Sequence, residues 1–417
     1  GAIDVDRRYA LFFPEERPFF LEGRDSFTFP GADYSPMQSV VHTRTIVNPI
    51  AGAKLTGKLG TADTLASIYA VDEQPDSAVD AGSPDYAQVA VVRYKRSLAG
   101  DSYLGGFYTG REEGDAFNRV YGGDASLRVT QASALGFYAF GSSTRPHGED
   151  TQDGHSVLAS YSHDNRKMSL YLQALDISRG FDTWTGYVYR TGVFQASTVV
   201  GPRFYPTGSV VRRVEPRVIV DYVRDAPSGL WEQWYEGSMS LVLPRSGRVT
   251  AKYHWSNEVY EKESFDTSGF QASAGAQLTK AFTLQGSFSH QRAIYYTADP
   301  FPGTSTSASI VALLQPSEQW LFDLRGTSSG FSRAGDGRRL YDYGIYRAKA
   351  TYQWNQYLFF RGIGEYNTYR RQLLTDFLAS FTYIPGTVFH VGYGSLYENV
   401  QWQDDRFVPG RDLLETR

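Results

Sequence analysis

The sequence predicts an all-β protein: a large antiparallel up-and-down transmembrane β-barrel of about 20–22 strands, with an irregular N-terminal segment in its lumen. Three observations predict it. The 417 residues include 30 Tyr, 26 Phe, 7 Trp and 41 Gly, types suited to pleated half-buried surfaces and to turns. Apolar and polar side chains alternate at period two through segment after segment. Connections between segments also alternate, one tight and the next long and polar.

The alternation is clearest where Tyr346, Ala348, Ala350, Tyr352 and Trp354 share one side while Arg347, Lys349, Thr351 and Gln353 share the other. Val249, Ala251, Tyr253 and Trp255 likewise oppose Arg248, Thr250, Lys252 and His254, and Trp320, Phe322 and Leu324 oppose Gln319, Asp323 and Arg325. Such segments often run to roughly 10–15 residues, whereas strands of a soluble sandwich have a mode of about 5–6. Aromatics gather near segment ends, as at Tyr352, Trp354, Tyr357, Phe359 and Phe360, where an interfacial girdle belongs.

Tight turns are expected at Gly60-Thr61, Ala99-Gly100, Thr130-Gln131, Asp164-Asn165, Thr207-Gly208, Ser246-Gly247, Lys280-Ala281, Pro316-Ser317, Asn355-Gln356 and Pro385-Gly386. Longer loops are expected at 72–85, 111–116, 141–153, 178–189, 224–229, 260–269, 292–303 and 328–339, with a shorter one at 368–372. Outer-membrane barrels have this arrangement, with short periplasmic turns and long extracellular loops. The division gives roughly 20 strands from Ile50 to Tyr397, with a further candidate at 39–46. By the same alternation 412–417 is an extracellular loop, so a closing strand is expected beyond it. A chain that begins at Gly1-Ala2-Ile3 without Met is expected to follow a leader or an upstream domain.

Composition narrows the function classes. Mean hydropathy is −0.39 and no apolar run reaches the roughly 18 residues of a spanning helix, which excludes a helical membrane protein but not a barrel. A net charge of −4 from 41 Lys+Arg and 45 Asp+Glu gives no field for nucleic acid. Absence of Cys removes disulfide and thiolate-metal frameworks and fits an oxidising compartment. No catalytic residues, metal site or cofactor are expected. Gly326-Thr327-Ser328-Ser329-Gly330 fits G-x-S-x-G, but a loop rather than a helix is expected after it. The seven His are scattered, without a His-Glu-x-x-His spacing. The acidic positions Asp76, Asp80 and Asp85 and the run Glu149-Asp150-Thr151-Gln152-Asp153 lack EF-hand spacing.

Residues 1–37 do not alternate, and form a separate N-terminal segment ahead of a barrel at 38–417. Phe12-Phe13-Pro14-Glu15-Glu16-Arg17-Pro18-Phe19-Phe20-Leu21-Glu22-Gly23 is dense in aromatics and charge, and its two prolines forbid a central strand. A clasp on the inner wall, or a plug, is the expected role. This stretch, with Arg24-Asp25-Ser26-Phe27, resembles the FFPE-(Lys/Arg)-RPFFLEG signature of a bacterial outer-membrane barrel family of unknown function. Thr43-Arg44-Thr45-Ile46 and Pro49-Ile50-Ala51-Gly52-Ala53-Lys54-Leu55-Thr56-Gly57-Lys58 are similar to that family's SRRIG…PIxxGAKLTGK pattern. Thr43 and Thr45 depart from its Ser and second Arg, and Glu16 stands where it prefers Lys or Arg. The resemblance implies a barrel often preceded by a family-nine-like carbohydrate-binding domain, and it carries over no catalytic residues.

The polar faces place Arg93, Lys95, Arg128, Arg248, Lys252, His254, Asp323, Arg325, Arg347, Lys349, Arg361, Glu365 and Asp376 in the lumen. The set leans basic, which favours anionic or hydroxylated solutes. The alternative is that these charges pair with one another or with Glu15, Glu16, Glu22 and Asp25. The expected function is a non-enzymatic outer-membrane pore or transporter component for polar solutes. Its expected partners are outer-membrane lipid and other outer-membrane or periplasmic proteins. An alternative is a membrane anchor for a missing domain that binds or processes carbohydrate.

Overall fold

The computed structural model describes residues 8–9, 12–73, 86–208, 210–297, 299–384, 386–398, 400–403 and 406–409. The acidic positions Asp76, Asp80 and Asp85 and the stretch 412–417 lie outside the described residues. The fold is all-β, with 21 strands in one antiparallel up-and-down barrel sheet. Consecutive strands pair antiparallel, from Pro49–Leu59 with Asp63–Glu73 to Gln372–Ile384 with Thr387–Glu398. Glu263–Asp266 and Gly269–Thr279 are two pieces of one pass, so the 21 strands make 20 passes. Among the described residues no helix is long and apolar enough to cross a membrane.

The chain divides into two compact units, one of residues 1–202, 218–235 and 258–264, the other of 203–217, 236–257 and 265–417. The first is organised around a hydrophobic core. Phe20, Phe27, Met37, Val40 and Ile46 of the N-terminal segment pack on Ile68, Val89, Val91, Phe107, Phe140, Leu158 and Leu175 of the strands. Phe27 meets Phe107 edge-on, and Phe29 meets Tyr138 and Phe140 in the same way. Burying a Phe side chain in this way stabilises by roughly 1.5–3 kcal/mol. The opposite face of the same strands exposes Tyr69, Val92, Tyr94, Tyr121, Phe137 and Leu172. The inner face of these strands thus mixes apolar side chains with buried polar ones, such as Arg93, Asp124, Asn118 and Thr144, that are paired with one another under the segment.

The second unit keeps the alternation. Leu324, Tyr346, Ile310, Phe288, Tyr253 and Phe377 are exposed on one face of its sheet. The other face carries register-matched rows: Thr250, Ser273, Ser287, Ser309 and Thr327 in one, Lys252, Gln271, Ser289, Ser307 and Ser329 in the next. At the rim of tight turns, Trp320 packs on Phe322 and Tyr352, and Tyr352 on Trp354.

Several boundaries differ from the expected ones. The candidate strand at 39–46 is instead a 3-10 turn, Thr43–Thr45, and the irregular segment runs on to the first long strand at Pro49. Met37–Ser39 pairs with Tyr187–Val188 rather than with the main sheet. The expected long loop at 111–116 is a tight turn: only Gly114-Asp115 separates Tyr103–Glu113 from Ala116–Thr130, with Gly114 at φ 67°. Most of 328–339 is strand as well, because Trp320–Arg333 and Arg339–Gln353 stay paired out to Ser332 and Arg339. Ser328, Ser329, Gly330 and Ser332 give no hydrophobic period, so ladder hydrogen bonds continue there without an apolar stripe to announce them.

Candidate functional site

The two resembling sequence blocks meet in the first unit, and Glu15 is where they join. Its Oε1 accepts from the backbone N of Glu16 at 3.0 Å and Arg17 at 2.9 Å, and from Arg17 Nε at 2.9 Å. Its Oε2 accepts from Arg17 Nη2 at 2.8 Å and from the Thr43 hydroxyl at 2.6 Å. Arg17 also donates to the carbonyls of Thr43 at 2.7 Å and Ile46 at 2.8 Å, and its guanidinium lies over the Phe20 ring. These bonds from Arg17, then from Thr43, hold the buried Glu15 carboxyl well below the usual carboxylate range, and the same bonds raise Arg17. Burial lowers His42, whose ring packs on Phe12 and Tyr187.

The rest of the first block closes a turn over the second. Pro18 opens the short helix Pro18–Leu21, and Gly23 follows it at φ 69° with Thr56 beside it, a conformation that suits glycine. Lys54 donates to the Glu22 carbonyl at 2.7 Å and to the Phe19 carbonyl, and sits 3.8 Å from the Glu22 carboxylate. Arg44 donates to the Pro14 carbonyl at 2.9 Å. Phe13, Pro14, Glu16, Pro18, Phe19 and Glu22 are exposed, while Phe12 is half-buried. Within this clasp Phe12, Glu15, Phe20, Phe27, Phe29 and His42 help line a cavity of about 330 Å³.

The lumen candidates fall into two groups. Arg93 is not at a watery wall: it lies fully buried in the first unit, paired with Asp124 at 2.5 Å and stacked over Phe107. Gly105 makes this possible, since a Cβ there would collide with the Arg93 guanidinium. Tyr103 donates to Asp124 at 2.9 Å, and Lys95 sits 4.3 Å over the Tyr103 ring. Arg128, two turns of the pleat beyond Asp124, is exposed.

The remaining candidates share the polar face of the second unit, where most are paired with one another. Asp323 binds Arg325 through two bonds of 2.8 and 2.9 Å and lies 3.6 Å from Lys349. Arg347 is 3.9 Å from Glu365, Arg361 is 3.1 Å from Asp376, and Lys252 is 3.2 Å from Glu236. His254 is buried against the Thr267 carbonyl at 2.8 Å. Arg248 lies 2.9 Å from Glu215, which also receives Arg213 at 2.8 Å and Arg203 at 3.9 Å.

Sequence reasoning missed a network in the first unit. Arg190 bridges Asp225 at 3.0 Å and Glu232 at 2.6 Å, and Arg8 reaches Glu258 at 2.7 Å and Glu232 at 3.4 Å. The stretch 178–189, expected as an outward loop, folds onto the clasp instead. Phe181 and Thr185 are buried there, and Asn118 holds the Trp184 N and the Asp182 carbonyl. Its charges are far apart in sequence, and no period links them. Gly326 to Gly330 lies wholly inside the strand Trp320–Arg333, which removes the G-x-S-x-G elbow geometry. Among the described residues no group of three His, Cys, Asp or Glu is placed to hold a metal ion.

No family model and no curated protein matches the chain. Among solved structures it is similar to the ferric enterobactin receptor of Pseudomonas aeruginosa, at 8% identity over 81% of this chain and 69% of that one, with a TM-score of 0.48. It is similar also to a siderophore receptor of Acinetobacter baumannii, at 9% identity over 81% and 68%, with a TM-score of 0.46.

Proposed function

We propose that the chain is a bacterial outer-membrane β-barrel that conducts polar solutes along the polar wall of its second unit. One observation carries this reading. On strands such as Trp320–Arg333 and Arg339–Gln353, Leu324 and Tyr346 are left exposed while Arg325, Thr327 and Arg347 occupy the opposite face. Exposed aromatic and aliphatic side chains on a continuous sheet face are costly in water and favourable against acyl chains. The opposite face offers hydroxyls, amides and paired ions, groups that replace water around a passing solute.

In this reading the clasp of the first unit is a fixed filling. The two resembling sequence blocks, joined through Glu15, Thr43 and Lys54, support membership in the barrel family they resemble. Planar-bilayer recording of the full chain tests the reading: discrete conductance steps are expected. A second reading, an anchor for a carbohydrate-handling domain, is favoured by the filled core of the first unit and predicts no steps.

A further inference from the structure

We infer that the polar wall of the second unit contains a binding site for a hydroxylated organic anion, a polyol bearing a carboxylate or phosphate, seated at Arg248 and Gly275. The inference rests on the polar wall described above and names what that wall recognises. Its first element is a surplus of positive charge. Arg213 and Arg248 both lean on the single carboxylate of Glu215, at 2.8 and 2.9 Å, so the three groups carry a net positive charge. The Arg248 side chain is half-exposed, which leaves its planar donors open to a second oxyanion.

The second element is a notch beside that charge. Arg248 pairs in register with Gly275, and Gly275 with Gln285, so the position between the two long side chains holds no side chain at all. A Cβ at Gly275 would come within 3.0 Å of Gln285 Cγ. From here a groove of about 600 Å³ runs past Ser273, Gln277, Thr283, Gln285, Ser287 and Ser309. Its polar side chains are hydroxyls and amides, which both donate and accept, as a polyol requires.

The composition of the groove decides against other ligands. No aromatic side chain lines it, so a neutral sugar has no ring to stack on. A small inorganic anion would fill only the Arg248 end and leave the hydroxyl rows unused. A second cation-rich patch lies four strands along the same row, where Asp323 is shared by Arg325 and Lys349. At about 4.8 Å per strand that is roughly 19 Å away, too far for one six-carbon ligand to span.

Titration calorimetry of the detergent-solubilised full chain tests the site, with gluconate as probe and sorbitol and hexanoate as controls. Gluconate should bind at least tenfold more tightly than sorbitol, which lacks the charge, or hexanoate, which lacks the hydroxyls. Arg248→Gln and Gly275→Val should each weaken gluconate at least tenfold, and if the valine variant does not assemble, Arg248→Gln decides alone. No gluconate binding, equal binding of either control, or binding unchanged by Arg248→Gln would overturn the site. Conductance without gluconate binding sinks this inference and leaves the pore standing. Gluconate binding without conductance does the reverse.

Discussion

The hydroxyl of Thr43 donates to Oε2 of the buried Glu15 at 2.6 Å, across 28 residues of sequence, and so ties the N-terminal segment to the turn that leads into the first long strand. Thr43→Val should cost about 1.5–3 kcal/mol, the range for a hydrogen bond to a charged group, while Thr43→Ser keeps most of it. Limited proteolysis of the N-terminal segment, with urea unfolding in micelles, measures the difference.

The same carboxylate sets a pH dependence. Its folded pKa is depressed by Arg17, so its contribution is complete above the ordinary value of 4.5 and is lost as pH falls through the folded value. Hydrogen exchange in 12–48, corrected for intrinsic rates, should rise once as pH falls below the ordinary His value of 6.5, because buried His42 resists protonation, and accelerate again in stronger acid through Glu15. Glu15→Gln should start with weaker protection and lose that acid step.

Arg93 and Asp124 are buried together, with the Arg93 guanidinium against the Phe107 ring. Arg93→Met strands a carboxylate in an apolar core and should destabilise by about 3–5 kcal/mol. The double variant Arg93→Met with Asp124→Leu should recover much of that loss. Equilibrium unfolding of the single and double variants reads both.

The two faces of Trp320–Arg333 should respond oppositely to charge. Leu324→Arg puts a guanidinium on the apolar face and should cost about 2–4 kcal/mol in a bilayer. Thr327→Arg, on the polar face, should fall within about 0.5 kcal/mol of the parent. Refolding into lipid vesicles at increasing urea measures both.

What the sequence disclosed follows from where period two survives. In the second unit Tyr346 to Trp354 alternates because its faces meet different surroundings, and that alternation marks the pass in the sequence. In the first unit the clasp supplies an apolar partner to the inner face, so Ile68, Val89, Val91 and Phe107 erase the contrast. Arg93 therefore looks like a wall charge in the sequence, although its register with Phe107 and the reach of its guanidinium over Gly105 to Asp124 make it part of the core. The clasp was visible as a motif, but its bonds were not, because Glu15 and Thr43 meet only after the chain turns back on itself. The Arg190 network lacks even a motif. The Arg248 notch needed strand register, since Gly275 acquires meaning only between Arg248 and Gln285.

The central claim is that alternate residues of one strand face lipid and water. With no native Cys, single cysteines at Ala308, Ser309, Ile310, Val311 and Ala312 of the strand Phe301–Leu314 can be labelled one at a time in vesicles. Probes at 308, 310 and 312 should be quenched by lipid-borne quenchers and shielded from charged thiol reagents. Those at 309 and 311 should show the reverse. A uniform response along the five positions, or lipid quenching at 309 and 311, would contradict the account.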